Sequence, residues 1–469
     1  MCSGPDAGDN PLLGMNILLV EGARVLGMTR PADVTPDGAL LIEDGAIVAL
    51  HADARKRGAE AAAAGRRLER VDARGLWLIP GFVQTHIHLC QTLLRNGPDD
   101  LPLLPWLRTH VWPGEAAHDE ASLEISARLG LAELLAGGTT ALLDMGTVRH
   151  TDAIFRAAEA SGMRVTSGNA LMDDAATNPE ELRASTEESL AETERLAKRW
   201  HGAAGGRLHV AYCPRFAVSC TDGLLRTVAA RARSNAFLVH THAAESADEV
   251  ALVLARTGKR NVTYLDDVGI SGSHVVLAHV IHTDARERTL LAARGTTVAH
   301  CPTSNLKLAS GICPVPEYRA QGIRVTLGAD GAPCNDRLDP FTEMRLAALL
   351  PKVRPGAGVL SAWDVVRMAT AEGAAALGLE AGTLETGRRA DFVLLDPASG
   401  FASPTAWRDD PYGPIVYSMD RSHVVATYVE GVLRYRRGEP FPLKPTADEI
   451  DAAVAALRRR RSGVDSRKR

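Results

Sequence analysis

Between Leu76 and Asp330 the sequence alternates short apolar runs with longer amphipathic stretches, and this alternation restricts the fold more than any other feature of the chain. The runs are Trp77 to Phe82, Thr140 to Met145, Arg164 to Leu171, Leu208 to Cys213, Phe237 to His242, Val275 to His279, Thr297 to Cys301 and Arg324 to Asp330. Runs of this length read as buried parallel strands, while the stretches between them, such as Glu181 to Trp200 and Leu224 to Arg233, read as amphipathic helices. Eight strands separated by helices is the pattern of an α/β fold, a (β/α)8 TIM-like barrel. A doubly wound open sheet is the rival. It would usually carry a glycine-rich phosphate turn after its first strand, and here that strand leads into histidines.

The flanks read differently. Asn16 to Val20, Ala39 to Glu43 and Ala46 to Leu50 are strand candidates around an Asp44-Gly45 turn, a hairpin signature. Residues 52 to 67, rich in Ala, Arg and Gly, read as a surface excursion. Hairpin signals return in Gly382 to Asp396 and in Val424 to Tyr435 around Gly431, so the two chain ends are expected to join in one small β-sandwich domain. The expected division is an N-terminal tail at 1–14, the small domain at 15–75 and 381–440, the barrel at 76–380, and a C-terminal helix with a basic tail at 441–469. Arg458 to Arg461 and Arg467-Lys468-Arg469 in that tail read as a solvated charge run.

With 53 basic and 57 acidic residues the chain has no global attraction for nucleic acid or an anionic membrane. No basic segment followed by an apolar run opens it, and nowhere do about 18 apolar residues stand together. Seven cysteines without a CxxC imply neither a disulfide framework nor a cysteine zinc site. The expectation is a cytoplasmic protein that acts on a small molecule, as a monomer or a homo-oligomer.

Catalytic groups of such a barrel belong at the C-terminal ends of its strands. Where the first run would end stands His86-Ile87-His88, and residues i and i+2 of a strand face the same way, so two imidazoles would converge. Taken alone, the pair could equally be two unrelated histidines. Later ends supply more: His240-Thr241-His242-Ala243-Ala244-Glu245 on the fifth strand, His279 on the sixth, His300 on the seventh and Asp330 on the eighth. His86, His88, His242 and Asp330 suffice for one zinc ion per chain with a position left for water. His240, one layer deeper, reads as a hydrogen-bonded group behind the ligands. Lys198, Lys259 and Lys307 lie outside every run, so no carboxylated lysine is on hand to bridge a second metal, which argues for one ion and against a cyclic-amide hydrolase. In the chemistry this suggests, zinc activates water, Asp330 takes its proton, Glu245 protonates a ring nitrogen and His279 holds the developing oxyanion. Glu245 also suits a helix N-terminus, where a carboxylate favours the dipole.

From about residue 16 to 440 the chain resembles the amidohydrolase superfamily, and within it the branch that deaminates S-adenosylhomocysteine, methylthioadenosine and 5'-deoxyadenosine. The matching pieces are PGFVQTHIH at 80–88, HAAE at 242–245, LAHVIH at 277–282, HCPTSNLKLASGICPVP at 300–316 and LGADGAPCNDRLDPFTEMRLAALL at 327–350. The resemblance implies that His86, His88, His242 and Asp330 bind zinc and that Glu245 and His279 contact the reacting ring, with His300 near the substrate. It also implies that Glu115, in VWPGE, holds the ribose hydroxyls. Asn169 stands where members that take S-adenosylhomocysteine carry an arginine, which disfavours a carboxylate-bearing substituent. Leu101, Leu103, Leu104 and Trp106 could line an apolar pocket for the 5' group. The implied substrates are therefore 5'-deoxyadenosine, methylthioadenosine or adenosine, ahead of S-adenosylhomocysteine. Two rivals stand beside this. Cys213-Pro214-Arg215-Phe216 resembles the segment with which guanine deaminases hold guanine, and a catalytically silent binding protein is a different class, disfavoured because all four ligands are retained.

Overall fold

The computed structural model describes residues 17–353, 360–399 and 410–467, so the expected tail at 1–14 and the terminal Lys468 and Arg469 lie outside the described residues. The first strands are β1 (Ile17–Leu26), β2 (Val34–Glu43), β3 (Ala46–Leu50), β4 (Leu68–Asp72) and β5 (Trp77–Pro80). Asp44 and Gly45 take φ of 51° and 76°, the two-residue turn whose twist suits a hairpin, and β2 and β3 pair antiparallel across it. Residues 52 to 67 do not form the expected excursion. His51–Ala63 is a helix whose small residues Ala54, Gly58 and Ala61 lie buried, Gly58 against Leu19 and Leu41 of the sheet. An alanine-rich composition favours a helix once one face can be covered.

A second departure concerns the first apolar run. β5 does not open the parallel array. It pairs with β1 in parallel and with a later strand, β17 (Phe392–Leu395), antiparallel, and the chain changes sheets at Gly81. The Gly81 N–H donates to Asp391 O at 3.0 Å, the Phe82 N–H to Gly138 O at 3.0 Å, and a Cβ on Gly81 would lie 2.2 Å from the Thr140 side chain. Only glycine allows so close a crossing. The histidine pair therefore ends the next strand, β6 (Phe82–His88).

From β6 the parallel strands follow in chain order: β7 (Thr139–Asp144), β8 (Arg164–Ser167), β9 (Ala170–Leu171), β10 (Leu208–Val210), β11 (Cys213–Pro214), β12 (Val239–Ala243), β13 (Val275–His279), β14 (Thr297–His300), β15 (Val325–Leu327) and β16 (Asp330–Gly331). The ladder runs β6–β7–β8–β10, a Tyr212–Val239 bridge leads on to β12, and β12–β13–β14–β15 continue it. β16 then pairs with β6, Asp330 beside Ile87, so the order returns to its start. Three expected strands are split, the third at Gly168, where a Cβ would meet Ala211 O at 2.1 Å, and the eighth at Gly328, where it would meet His86 O at 2.6 Å. The fourth breaks at Ala211-Tyr212.

The chain ends with β17 (Phe392–Leu395), β18 (Val424–Val429), β19 (Val432–Arg436) and a helix at Ala447–Arg467. The small part is hydrogen-bonded as one sheet in the order β19-β18-β17-β5-β1-β2-β3, with β4 alongside β1. Leu40, Ile42 and Ile47 from one end of it share a core cluster with Phe392, Leu394 and Tyr428 from the other. Arg164, at the start of β8, joins this sheet to the parallel strands by donating to Asp391 at 2.5 Å and Glu430 at 3.0 Å. In the basic tail Arg460 and Arg461 are not solvated charges but hydrogen-bond the body of the protein. Among the described residues no helix is long and apolar enough to cross a membrane, and the six described cysteines are buried and form no disulfide.

Candidate metal and active site

β6 turns both of its histidines to its C-terminal end, where His242 of β12, His279 of β13 and Asp330 of β16 meet them. Asp330 Oδ1 lies 3.2 Å from His86 Nε2 and 3.4 Å from His88 Nε2, while the Nε2 atoms of His88 and His242 are 3.1 Å apart. His279 Nε2 stands 3.8 Å from Asp330 Oδ2. His86, His242, His279 and Asp330 form one group able to hold a metal ion, and His88 borders it. Backbone strain collects here: Ala244, His279, Val280 and Asp330 all have φ between 47° and 70°. Each such non-glycine residue costs about 1–3 kcal/mol, which the surrounding strands must offset.

Hydrogen bonds on the far side of the His86 and His242 rings fix their tautomers. His240 Nδ1 donates to Val276 O at 3.0 Å, so its Nε2 must accept from His86 Nδ1 at 2.8 Å, and the neutral His86 is left with a bare, buried Nε2 that has no partner. His242 Nδ1 donates to Arg215 O at 2.6 Å, which likewise bares its Nε2. Burial is the largest influence holding His86, His88, His240 and His242 below the ordinary histidine range, so these rings are neutral, as metal ligation requires. Asp330 is held well below the ordinary carboxylate range despite its burial, and the Gly331 N–H, donating to its Oδ1 at 2.7 Å, favours the ionised form. Neutral imidazoles with bare nitrogens around one ionised carboxylate fit a divalent cation such as zinc. Ser304 Oγ donates to Asp330 Oδ2 at 2.6 Å and orients it.

Glu245 follows β12 at the same end. Its carboxylate is 3.5 Å from His279 Nε2, and burial raises its pKa well above the usual range, favouring the protonated form. His279 Nδ1 meets the Asn305 side-chain amide at 2.8 Å, and the atom that faces it decides whether His279 Nε2 carries a proton.

Beside these groups lies a narrow cleft that opens to the surface. Trp106 and Arg215 line it, as do Leu103, Gln91, Phe216 and Leu308. Three expected substrate contacts are not brought there. The Glu115 carboxylate is buried beneath the wall, accepting from Arg215 at 2.5 and 3.1 Å and from Gln91 at 2.8 Å, so its oxygens are already taken. Asn169 points into a helix, donating to Ser189 O at 2.9 Å and accepting from Thr193 at 2.6 Å. His300 is buried and does not reach the cavity lining. Sequence reasoning missed Gln91, although its place three residues past His88 is one helical turn beyond the ligand strand. A second metal-like group, His88, Cys90 and Glu115, is a poor ion site because the Arg215 guanidinium already neutralises Glu115 and burial raises the Cys90 thiol well above its ordinary value. Lys259 pairs with Asp267, and Lys307 with Asp99 and Asp336, away from the histidines.

Comparison with known proteins bears on this geometry. Residues 77–434 match the model of the amidohydrolase family. A 5'-deoxyadenosine deaminase of Methanothermobacter thermautotrophicus is 39% identical over 82% of this chain and 89% of its own length. A 5-methylthioadenosine/S-adenosylhomocysteine deaminase of Symbiobacterium thermophilum is 38% identical over 90% of this chain and 94% of its own. A crystal structure of an adenosine deaminase from Xanthomonas campestris with bound zinc superposes with a TM-score of 0.83 at 31% identity, covering 96% of this chain and 98% of that one. The family and this likeness imply a TIM-barrel fold.

Proposed function

This chain belongs to the amidohydrolase family and is a hydrolase acting on C–N bonds, and on that premise we propose that it deaminates an adenosine-type nucleoside to the inosine analogue and ammonia. The observation that carries this reading is the convergence of Glu245, at 3.5 Å, and Asp330, at 3.8 Å, on His279 Nε2 at the cavity edge. In the same reading the parallel strands close as a (β/α)8 barrel flanked by the small β-domain, and the protein works on a small molecule in the cytoplasm.

His86, His88, His242 and Asp330 would hold one divalent ion per chain, zinc by the character of its donors. When bound, the ion supplies the Lewis acidity that makes water a nucleophile at neutral pH. The chain's own groups handle the protons. Asp330 accepts one from the attacking water. Glu245, whose protonated form burial favours, donates to the ring nitrogen beside the attacked carbon. Asn305 Oδ1 faces His279 Nδ1 and the amide nitrogen has no partner; a flip of the amide, so that the nitrogen donates to Nδ1, leaves the imidazole proton on Nε2, where it can stabilise the developing oxyanion. The proton taken by Asp330 passes to the amino group, the C–N bond breaks as the hydroxyl proton of the intermediate returns to Glu245, and ammonia departs, leaving the carbonyl.

Leu103, Trp106, Phe216 and Leu308 suit a small apolar 5' group. With Asn169 turned away, the reason for ranking S-adenosylhomocysteine lower disappears, and it joins 5'-deoxyadenosine, methylthioadenosine and adenosine as one class. Arg215 and Gln91 on the cavity wall favour a second reading, a base bearing a carbonyl acceptor such as guanine. Ammonia release from purified protein, compared as kcat/KM across the four nucleosides and guanine, tests both. An adenosine-type compound is expected to be best; guanine as the best substrate would replace the first reading by the second, and release from none would sink both.

A further inference from the structure

We propose that Arg460 and Arg461 of the C-terminal helix are positioning residues for the substrate pocket: they clamp from outside the segment 103–117 that forms one of its walls. The segment is irregular. It runs from a single helical turn at Leu103–Trp106 through a π-helix at Leu107–Val111 to another short turn at Trp112–Ala116. A π-helix is a rare, strained element that persists only when its surroundings hold it. Its inner side supplies Leu103, Trp106 and Leu107 to the cavity, and its end supplies Glu115, whose carboxylate holds Arg215 of the opposite wall. Both walls thus depend on how this one segment is seated.

What seats it from outside is the basic run. Arg461 Nη2 donates to Thr109 O at 2.7 Å, inside the π-helix. Arg460 Nε donates to Ala117 O at 2.5 Å, and its two terminal nitrogens reach Asp119 at 2.7 and 3.1 Å. Asp119 is the N-cap of the helix Glu120–Ala136, so one guanidinium joins the end of the wall to the start of a core helix. Arg460 also donates to Ser122 Oγ at 3.0 Å; that hydroxyl faces His118 Nδ1 at 3.1 Å, and His118 Nε2 donates to Cys90 O, two residues beyond His88. The C-terminal helix is itself anchored by Ala453 and Leu457, four residues apart and buried, and by Arg128, which donates to Glu449 at 3.1 Å. A solvated charge run would make none of these bonds.

The inference rests on reading the cavity as the substrate pocket, and its test has one readout that needs no substrate. In the full chain carrying Arg460→Ala and Arg461→Ala, backbone amides of 103–117 should exchange hydrogen faster, with the strands and bound zinc unchanged. Unchanged exchange in that segment overturns the proposal. On whichever compound the wild type turns over best, KM should rise about 3- to 10-fold at nearly constant kcat, the size of coupling that reaches a site through an intervening element. A fall in kcat at constant KM overturns it. Arg460→Lys, which keeps the charge but not the fork, should recover only part of the KM change. Should the double variant fail to fold, Arg461→Ala alone removes a single bond and carries both readouts. A wild type that deaminates nothing refutes the proposed function, while the exchange result still decides the clamp.

Discussion

The floor and the wall of the cavity are built by opposite means. On the floor, each histidine comes from a strand end, and His86 and His242 are oriented through their far-side nitrogens, His240 and backbone carbonyls serving as partners. On the wall, Trp106 and Leu107 ride on an irregular segment held by side chains from distant parts of the chain, Arg215, Arg460 and Arg461. On the proposed function, reaction chemistry and substrate choice are then separable: strand ends place the groups for the first, and the irregular segment shapes the second.

If that division is right, changes on the floor act on turnover and changes on the wall on binding. The largest effect is expected from Asp330→Asn, which should lose bound metal together with detectable turnover, measured by metal content and ammonia release; full turnover in the metal-free variant would break the division at once. Glu245→Gln should keep the metal and lose about 10² or more in kcat, since a positioned acid typically contributes that much. An unchanged rate would demote Glu245 to a carboxyl that serves the following helix. On the wall, Trp106→Ala should raise KM about tenfold while kcat stays within about twofold, which steady-state kinetics over several 5' substituents would measure. A kcat effect as large as that of Glu245→Gln would merge wall and floor.

The smallest effect belongs to a control outside both. For Glu430, burial alone would raise the pKa, but Arg207 and Arg164 win and hold it below its ordinary 4.5. A depressed carboxylate pKa adds stability that is present above about pH 4.5 and is lost as the pH falls through the lowered folded-state value. Urea unfolding of wild type and Glu430→Gln should therefore differ at pH 7 and converge in acid, with kcat and KM alike in both. A difference in stability that does not vary with pH would contradict this.

Much of the floor was legible in sequence because strands and their ends leave short-range marks. A two-residue period brings His86 and His88 to one side, and an apolar run that stops at a histidine or aspartate marks a strand mouth. The Asp44-Gly45 turn was legible for the same reason, since a local φ requirement selects local residues. The strand holding the histidines was misread because Pro80-Gly81 interrupts one apolar run, and only pairing with β1 and β17 assigns Trp77–Pro80 to the other sheet. Glu115, Asn169 and Arg460 were misjudged for a related reason. A long polar side chain leaves no periodic trace of its direction, and its partner lies wherever the folded chain brings a complementary group.

The sequence by itself carried the alternation of strands and helices and the placing of His86, His88, His242, Glu245 and Asp330 at strand ends, because each is marked by near neighbours. The tertiary structure alone decided which imidazole nitrogens are bare, that Glu115 serves Arg215 rather than facing the cavity, and that the basic tail grips the wall, since each rests on pairings between residues on different elements, far apart in the chain. Over such separations the chain's own flexibility carries no information, and only the packed core fixes who meets whom.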